Sequence, residues 1–185
     1  MQLVRTAAAL RAWKGPGAAR EWFSSRIPKS FPASDAYELS SLAYREKLDE
    51  ELGVVPDPQR DASMAERIWL LRAASLARLG KRAGPDLRAM VKAHYGSNRP
   101  GREFQLGRHL RGDLTAKELL ALVTDDASSC EVPYYAAVKA QADGKNDETM
   151  SWYRDAIFCL RPNEPEFAWA YDALRDIRDK EHATD

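Results

Sequence analysis

The sequence predicts an all-α protein of about ten helices, arranged as antiparallel pairs that stack on one another. Apolar residues recur at one-turn spacings along most of the chain, and glycine or proline ends each of these stretches. Runs of alternating apolar and polar residues never persist, and Val and Ile are sparse, so no strand is predicted. With 185 residues, we expect one domain over 1–185, less repeat-like over 1–60, with helix pairs and a C-terminal capping helix over 61–185.

Five helices are predicted before residue 100, and glycine or proline residues separate them. They cover residues 2–14, 18–25, 34–52, 61–79 and 85–95. Ser34-Asp35 is a suitable N-cap for the third, which we expect to run to about Leu52. The acidic residues of 46–51 are expected to form a solvated face of that helix. Gly80 is expected to close the fourth helix.

In the second half of the chain, the sequence predicts short helices on either side of one antiparallel helix pair. They cover residues 102–111, 115–123, the pair 131–162 and residues 164–180. Thr115 and Glu118 match a capping box, in which each side chain bonds the other residue's backbone N–H. In the pair, Gly144 ends the first helix and Pro162 follows the second. Neither helix of the pair can bury its apolar stripe alone, so stacked neighbours are required.

Charge is arranged in blocks although the net charge is zero. Lys and Arg minus Asp and Glu give +5 for residues 1–33, −6 for 34–66, +9 for 67–112 and −8 for 113–185. Such blocks either attract one another across neighbouring helices or create a basic groove between acidic flanks. Cys130 and Cys159 have no paired spacing, so we expect two partly buried thiols and no disulfide framework.

Residues 65–95 and 131–162 resemble degenerate tetratricopeptide repeats. The first unit has Trp69, Ala73, Leu76 and Gly80 at the expected places, and the second has Ala137, Gly144, Tyr153, Ala156 and Pro162. The resemblance implies a right-handed superhelix of helix pairs that binds a partner in a concave groove.

A longer stretch, roughly residues 65–160, is similar to the C-terminal part of bacterial NlpI-type repeat lipoproteins. The similarity follows the order WLLRAASLARLGK, FQLGRHLRGDLTAKELLALV and CEVPYYAAVKAQADGKNDETMSWYRDAI. It implies a binding adaptor without catalytic residues. No lipobox cysteine and no secretory signal are seen, so a cytoplasmic location is predicted.

By analogy with tetratricopeptide arrays, the first helix of each unit lines the groove with the side opposite its packing stripe. The groove would be basic at one end and apolar-aromatic at the other, which favours a protein or peptide partner carrying acidic residues. Its predicted members are Arg67, Leu70, Ala74, Arg78, Phe104, Arg108, Arg111, Tyr134, Val138 and Gln141. A simpler alternative is that these arginines are solvated or pair with the acidic blocks.

Two other classes of function remain open from the sequence. The basic block 67–112 has enough cations for a helical nucleic-acid-associated protein, but no nucleic-acid motif accompanies it. An enzyme would need a site assembled from distant residues, because the three histidines lack metal-ligand spacing and no phosphate-binding glycine loop exists. We therefore expect no enzymatic activity, no cofactor and no metal. The basic N-terminal helix also fits a mitochondrial-type presequence or a membrane-surface helix.

Overall fold

Helices make up all of the regular secondary structure in the part of the chain that the structure describes. The computed structural model describes residues 2–28, 32–56, 61–96, 99–122 and 130–182, with the side chains excepted at 122 and 180–182. Its ten α-helices are α1 (Gln2–Lys14), α2 (Pro16–Arg26), α3 (Ala33–Arg45), α4 (Ala62–Leu79), α5 (Pro85–His94), α6 (Arg102–Arg111), α7 (Ala116–Leu122), α8 (Glu131–Ala142), α9 (Asn146–Phe158) and α10 (Pro165–His182). Two short 310 helices, Glu51–Val54 and Gly80–Arg82, follow α3 and α4. The all-α prediction is confirmed. None of the described helices combines the length and apolar content needed to cross a bilayer.

Local signals in the sequence set several of these boundaries. Gly80 and Gly144 have positive φ angles of 54° and 76°, which glycine adopts without strain, and each follows the end of its helix. The Thr115 backbone N–H and hydroxyl donate to the Glu118 carboxylate at 2.7 and 2.8 Å, and the Glu118 N–H donates to Thr115 Oγ1 at 3.2 Å. The predicted capping box is therefore confirmed. Asp61 caps α4, since its carboxylate accepts a hydrogen bond from a backbone N–H in the first turn.

The chain divides into two compact units, Met1–Gly107 and Arg108–Asp185, which we call unit 1 and unit 2. Unit 1 contains α1 to α5 and the first part of α6. Unit 2 contains the end of α6 and all later helices. The division therefore falls inside α6, whereas the sequence suggested a single domain whose character changes near residue 60.

Helix α4 is central to unit 1 because it contacts α3, α5 and both 310 helices. Most of its circumference is therefore buried, not a single stripe. The buried members of α4 are Ile68, Leu70, Leu71, Arg72, Ala73, Ala74, Ser75 and Leu79. A helix covered on several sides must also find internal partners for its polar groups, because water cannot reach them.

The chain reverses direction directly after α3. This helix ends at Arg45, and Lys47 has a positive φ angle of 58°, which stops any continuation. The prediction of one helix running to Leu52 is therefore wrong, and so is the Ser34 N-cap, since α3 begins at Ala33 without a side-chain cap. The reversal turns Leu48 and Leu52 into the core, where both are fully buried.

Two acidic side chains enter the interior with this segment. Asp49 and Glu51 are buried, so the predicted solvated face is wrong at these positions. Asp49 accepts a hydrogen bond from Arg78, and Glu51 pairs with Arg11 at 3.0 Å. Burial raises the pKa of Glu51, and the nearby Arg11 charge opposes that rise. Within unit 1 the acidic block thus pairs with basic residues from the blocks on both sides of it.

Arg72 is the largest fully buried side chain of the described residues and is only 1% exposed. Its Nε donates to the Leu52 carbonyl at 3.2 Å and its Nη2 to the Val55 carbonyl at 2.5 Å. Its guanidinium carbon also lies 4.3 Å from the centroid of the Trp69 ring. Arg72 therefore holds the 310 helix Glu51–Val54 against α4. An apolar side chain at this position could not donate to these backbone carbonyls.

Gly107 in α6 lies directly against the ring of Tyr95, the residue that follows α5. A Cβ atom built at this position would overlap the ring of Tyr95. Tyr95 itself is buried, and its ring centroid lies 5.1 Å from that of Phe104. The glycine is therefore required by space and not by backbone conformation, since its φ angle is not in the left-handed range.

We predict that Gly107→Ala lowers the free energy of unfolding by about 1–3 kcal/mol, because the added methyl group overpacks the contact with Tyr95. A decrease in the free energy of unfolding is informative, because alanine in a helix interior normally stabilises by about 1 kcal/mol relative to glycine. Urea unfolding followed by circular dichroism measures the change. Gly53→Ala is the matched control, because a Cβ there meets nothing within 4 Å. Equal stability of wild type and Gly107→Ala would contradict the packing argument.

Unit 2 is built on an antiparallel helix pair followed by a third helix. Helix α8 packs against α9, and α10 packs against both. The Tyr134 ring lies 5.1 Å from Tyr135, 5.9 Å from Tyr153 and 5.6 Å from Trp169, measured between centroids. This aromatic cluster joins all three helices. Eight of the twelve residues of α8 are buried in consequence: Glu131, Val132, Tyr134, Tyr135, Ala136, Ala137, Val138 and Ala140.

A disulfide bond between Cys130 and Cys159 closes the open end of the α8–α9 pair. The prediction of two separate thiols is therefore wrong. An antiparallel pair brings the start of its first helix next to the end of its second, and here the two Cα atoms lie 5.4 Å apart. Disulfides persist mainly in oxidising compartments, so this bond runs against the predicted cytoplasmic location.

We predict that reduction of this disulfide lowers the free energy of unfolding by about 3–4 kcal/mol. The bond closes a long loop and so restricts the unfolded chain, and reduction gives the unfolded chain that entropy back. Urea unfolding of the wild type with and without dithiothreitol measures the loss. The double variant Cys130→Ala/Cys159→Ala is the control, and its transition should not respond to the reductant. A wild-type transition that also fails to respond would show that the bond contributes nothing to stability.

Candidate functional site

The apolar and aromatic members of the predicted groove lie inside the protein. Leu70, Ala74, Phe104, Tyr134 and Val138 are all buried. The reason is that α4 and α8 are covered by neighbours on more than one side, so the face opposite their main apolar stripe is not open to solvent. These five side chains stabilise their own units and are not exposed to a partner.

The groove arginines of unit 1 differ in how they are engaged. Arg78 bonds the buried carboxylate of Asp49 and donates to the Tyr44 carbonyl at 2.9 Å, with its guanidinium 3.7 Å from the Tyr44 ring centroid. It therefore belongs to the interior of unit 1. Arg67 is half-buried, and its guanidinium lies 5.8 Å from the ring centroid of Tyr37.

The polar groove members of unit 2 are closer to solvent. Arg108 and Arg111 are half-buried, and Gln141 is exposed. Arg111 pairs with Asp113 at 3.4 Å across a turn in which Gly112 has a φ angle of 89°. The tripeptide 111–113 is therefore a turn whose two ends form an ion pair.

The remaining sequence candidates do not form a catalytic or metal centre in the described ranges. His94 Nε2 lies 3.0 Å from Glu66 Oε2, and the His94 ring stacks on Trp69 with centroids 4.2 Å apart. No cluster of three or more His, Cys, Asp or Glu side chains suited to a metal ion occurs among these residues. The adjacent carboxylates Asp125 and Asp126 lie outside the described residues.

Unit 2 contains a cavity of about 230 Å³ that the sequence did not predict. The end of α6, the turn after it, the start of α7 and the facing sides of α8 and α9 all contribute to its wall. The lining residues are His109, Gly112, Leu114, Thr115, Ala116, Ala136, Lys139, Ala140, Asp143, Lys145, Glu148 and Trp152. Ala136 and Ala140 lie one turn apart on α8, and their short side chains leave the space that the cavity occupies.

His109 is the buried polar residue of this wall, with 4% of its surface exposed. Its Nδ1 lies 2.9 Å from the Leu114 carbonyl oxygen, so Nδ1 carries the proton and donates it. Burial lowers the pKa of His109, the Leu114 hydrogen bond opposes this, and the nearby Lys139 charge lowers it further. The ring is therefore neutral near pH 7, and Nε2 is an acceptor. Nε2 is buried and has no hydrogen-bond partner among the described residues.

Four charged side chains line the same cavity in two ion pairs. Lys139 bonds Asp143 one helical turn along, and Lys145 Nζ lies 3.1 Å from Glu148 Oε2. With His109 neutral, these charges balance to zero. The four charges are therefore paired with one another along the wall.

Sequence reasoning missed this site for a physical reason. The sequence shows only that His109 lacks metal-ligand spacing. The cavity depends on how three separate segments meet, which the sequence does not show. One signal was present: Ala136, Lys139, Ala140 and Asp143 follow the spacing of one helix face, with small residues beside an ion pair. That spacing indicates a charged helix face with short side chains. It does not show which segment of the chain packs against that face.

Comparisons of the chain with protein-family models, curated proteins and solved structures return no match. The resemblance to tetratricopeptide repeats and to NlpI-type repeat lipoproteins therefore remains a prediction. We argue function from the geometry of the described residues, because a helical fold alone is compatible with many activities.

We predict that His109 makes unit 2 less stable as the pH falls below its ordinary pKa of 6.5. The unfolded chain binds a proton there, while the folded ring stays neutral down to its lowered pKa, so stability is lost through that window. The free energy of unfolding of wild type relative to His109→Gln should therefore fall with decreasing pH, with a limiting slope of about 1.4 kcal/mol per pH unit.

Urea unfolding at about pH 7.5 and about pH 5.5 measures this difference. Lys117→Gln, an exposed change on α7, is the control and should track the wild type at both values. A wild-type to His109→Gln difference that does not change with pH would contradict the prediction.

Proposed function

We propose that this chain is a non-catalytic, tetratricopeptide-like module that binds a protein or peptide partner. The observation that carries the proposal is the arrangement of unit 2, in which the α8–α9 pair is followed by α10 packed on both. In a repeat array, the first helix of each unit packs in the same way on the pair before it. Ala137, Gly144, Tyr153 and Ala156 occupy the places that the resemblance assigns to packing residues, and all but the turn glycine are buried.

An exposed apolar pair supplies a surface for such a partner. Phe158 and Leu160 are 74% and 77% exposed at the end of α9, on either side of the disulfide-bonded Cys159. Leu160 has a positive φ angle of 56°, so the chain turns sharply at this point. Two adjacent exposed apolar side chains can serve as the anchor of a protein-interaction surface.

The arginines support one part of the proposal, namely that the partner carries acidic residues. Of the four arginines assigned to the groove, Arg78 is committed to Asp49 inside unit 1. Arg67 and Arg108 are half-buried and reach solvent. The acidic preference is therefore tested separately in each unit, through Arg67 in unit 1 and Arg108 in unit 2.

The test compares the proteins that bind the purified chain with those that bind Phe158→Ser/Leu160→Ser. We expect specific partners to lose at least about tenfold in affinity, since a central apolar anchor contributes about 2 kcal/mol or more. Quantitative affinity capture followed by titration of the captured partner measures the loss. Trp13→Ser is the matched control, because Trp13 is 78% exposed but belongs to unit 1.

Retention of the same partners by the double variant would reject this surface. The singly changed Arg67→Glu and Arg108→Glu proteins test the acidic preference on the same samples. Arg78 is left intact because its loss would unpair a buried carboxylate and confuse folding with binding. Unaltered binding by both arginine variants would remove the acidic partner from the proposal.

A further inference from the structure

Trp13 is the one large apolar side chain of unit 1 that is exposed among the described residues, with 78% of its surface open to solvent. It lies in the last turn of α1, and only Gly15 separates α1 from α2. Lys14, Pro16 and Gly17 are exposed as well, so most of the turn between the two helices faces solvent. A tryptophan ring is unfavourable in water and is well accommodated at the boundary between water and an apolar phase.

The remainder of α1 offers little apolar surface of its own. Its side chains Val4 and Ala7 are buried inside unit 1, so that face of the helix is already occupied. Helix α1 therefore does not lie flat on a membrane as an amphipathic helix would. Its C-terminal end instead presents Trp13 together with the cation of Lys14, whose Nζ lies 4.4 Å from the Trp13 ring centroid.

Unit 1 is also the basic half of the chain. Residues 1–107 contain 18 Lys and Arg and 12 Asp and Glu, which gives a net charge of +6. Residues 108–185 contain 10 Lys and Arg and 16 Asp and Glu, which gives −6. An anionic surface therefore attracts unit 1 and repels unit 2.

The acidic groups near the α1–α2 turn are already engaged. Arg11 and Arg20, on either side of the turn, pair with Glu51 at 3.0 Å and with Asp86 at 3.2 Å. The neighbouring Glu50 carboxylate accepts a hydrogen bond at 3.1 Å from the backbone N–H that precedes α5. These contacts hold the α1–α2 turn and the start of α5 at one end of unit 1.

Four exposed cations lie on the segment that leads into α5 and along this helix: Lys81, Arg82, Arg88 and Lys92. None of them pairs with a carboxylate in the part of the chain that the structure describes. Arg88 donates to the Gly80 carbonyl at 2.8 Å and to the Ala83 carbonyl at 3.1 Å, which places its guanidinium beside the segment that carries Lys81 and Arg82. Like charges gathered without a counter-charge repel one another, so this cluster favours an anionic neighbour.

We propose that unit 1 docks on an anionic lipid bilayer, with Trp13 entering the interfacial region. Lys14 and the cluster around Lys81 and Arg82 contact the headgroup phosphates. Nucleic acid fits these observations less well. Single strands are bound by several stacked aromatic side chains, and contacts to a duplex backbone would leave Trp13 in water.

The proposed membrane contact uses no residue of the surface formed by Phe158 and Leu160. Binding of a bilayer by unit 1 and binding of a protein by that surface are therefore independent, and the failure of one leaves the other intact.

The test mixes the purified full chain with vesicles of phosphatidylcholine that contain about one third phosphatidylglycerol, and with vesicles of phosphatidylcholine alone. Co-sedimentation at increasing lipid concentration measures the apparent Kd. We expect binding to the anionic vesicles that weakens as salt is added, and binding to the neutral vesicles that is at least about tenfold weaker. The tryptophan emission of the bound wild type should shift to shorter wavelength as Trp13 leaves water.

Two variants separate the apolar and the electrostatic contributions. Trp13→Ser should weaken binding to anionic vesicles at least about tenfold and abolish the emission shift, because it removes the side chain that enters the interface. Lys81→Gln/Arg82→Gln should weaken binding about tenfold or more at low salt, since each cation near an anionic membrane contributes about fivefold.

Unit 2 supplies a matched control for each variant. Phe158→Ser/Leu160→Ser removes two exposed apolar side chains, and Lys117→Gln removes an exposed cation. Both controls should bind anionic vesicles as the wild type does. Melting temperatures without vesicles show that every variant is folded.

Four results would overturn the proposal. The first is that the wild type does not bind anionic vesicles, and the second is that it binds neutral vesicles equally well. The third is that folded Trp13→Ser or Lys81→Gln/Arg82→Gln binds with the wild-type Kd. The fourth is that a DNA oligonucleotide displaces the vesicles and binds wild type and Trp13→Ser equally, which would assign the basic cluster to nucleic acid.

Discussion

Unit 1 depends on two buried carboxylates and on the half-buried arginines that pair with them. The reversal at Lys47 brings Asp49 and Glu51 into the interior with their apolar neighbours. Carboxylates removed from water are stable only when they are paired, and Arg78 and Arg11 supply that pairing. These pairs fix the rotation of α4 and α1 about their own axes. Apolar packing alone would tolerate small errors in that rotation, and a buried ion pair would not.

Unit 2 depends on the burial of a single helix instead. Helix α8 is covered on nearly all sides, and this coverage needs α9, α10 and the segment around His109 at the same time. Where α8 carries alanine and a lysine stem, the coverage is incomplete and a cavity results. Where α9 ends beyond this coverage, Phe158 and Leu160 are left in water. The candidate cavity and the candidate surface therefore have the same origin.

Much of the secondary structure could be predicted because its signals are local. The Thr115 capping box and the closing glycines Gly80 and Gly144 act through neighbouring backbone atoms. The groove faces could not be predicted, because periodicity shows where the main apolar stripe lies and not whether the opposite face is also covered. The break at Lys47 depends on what its downstream residues gain by burial. The disulfide and the His109 cavity depend on which segments meet, and no single stretch of sequence contains that information.

The disulfide also restricts how unit 2 can open. Proteins unfold locally in cooperative segments before they unfold globally. Because Cys130 and Cys159 join the outer ends of α8 and α9, and the turn at Gly144 joins their inner ends, these two helices form a closed ring. They cannot separate fully while the bond is intact. Partial opening of unit 2 with the bond intact therefore separates other segments from a pair of helices that stays tethered at both ends.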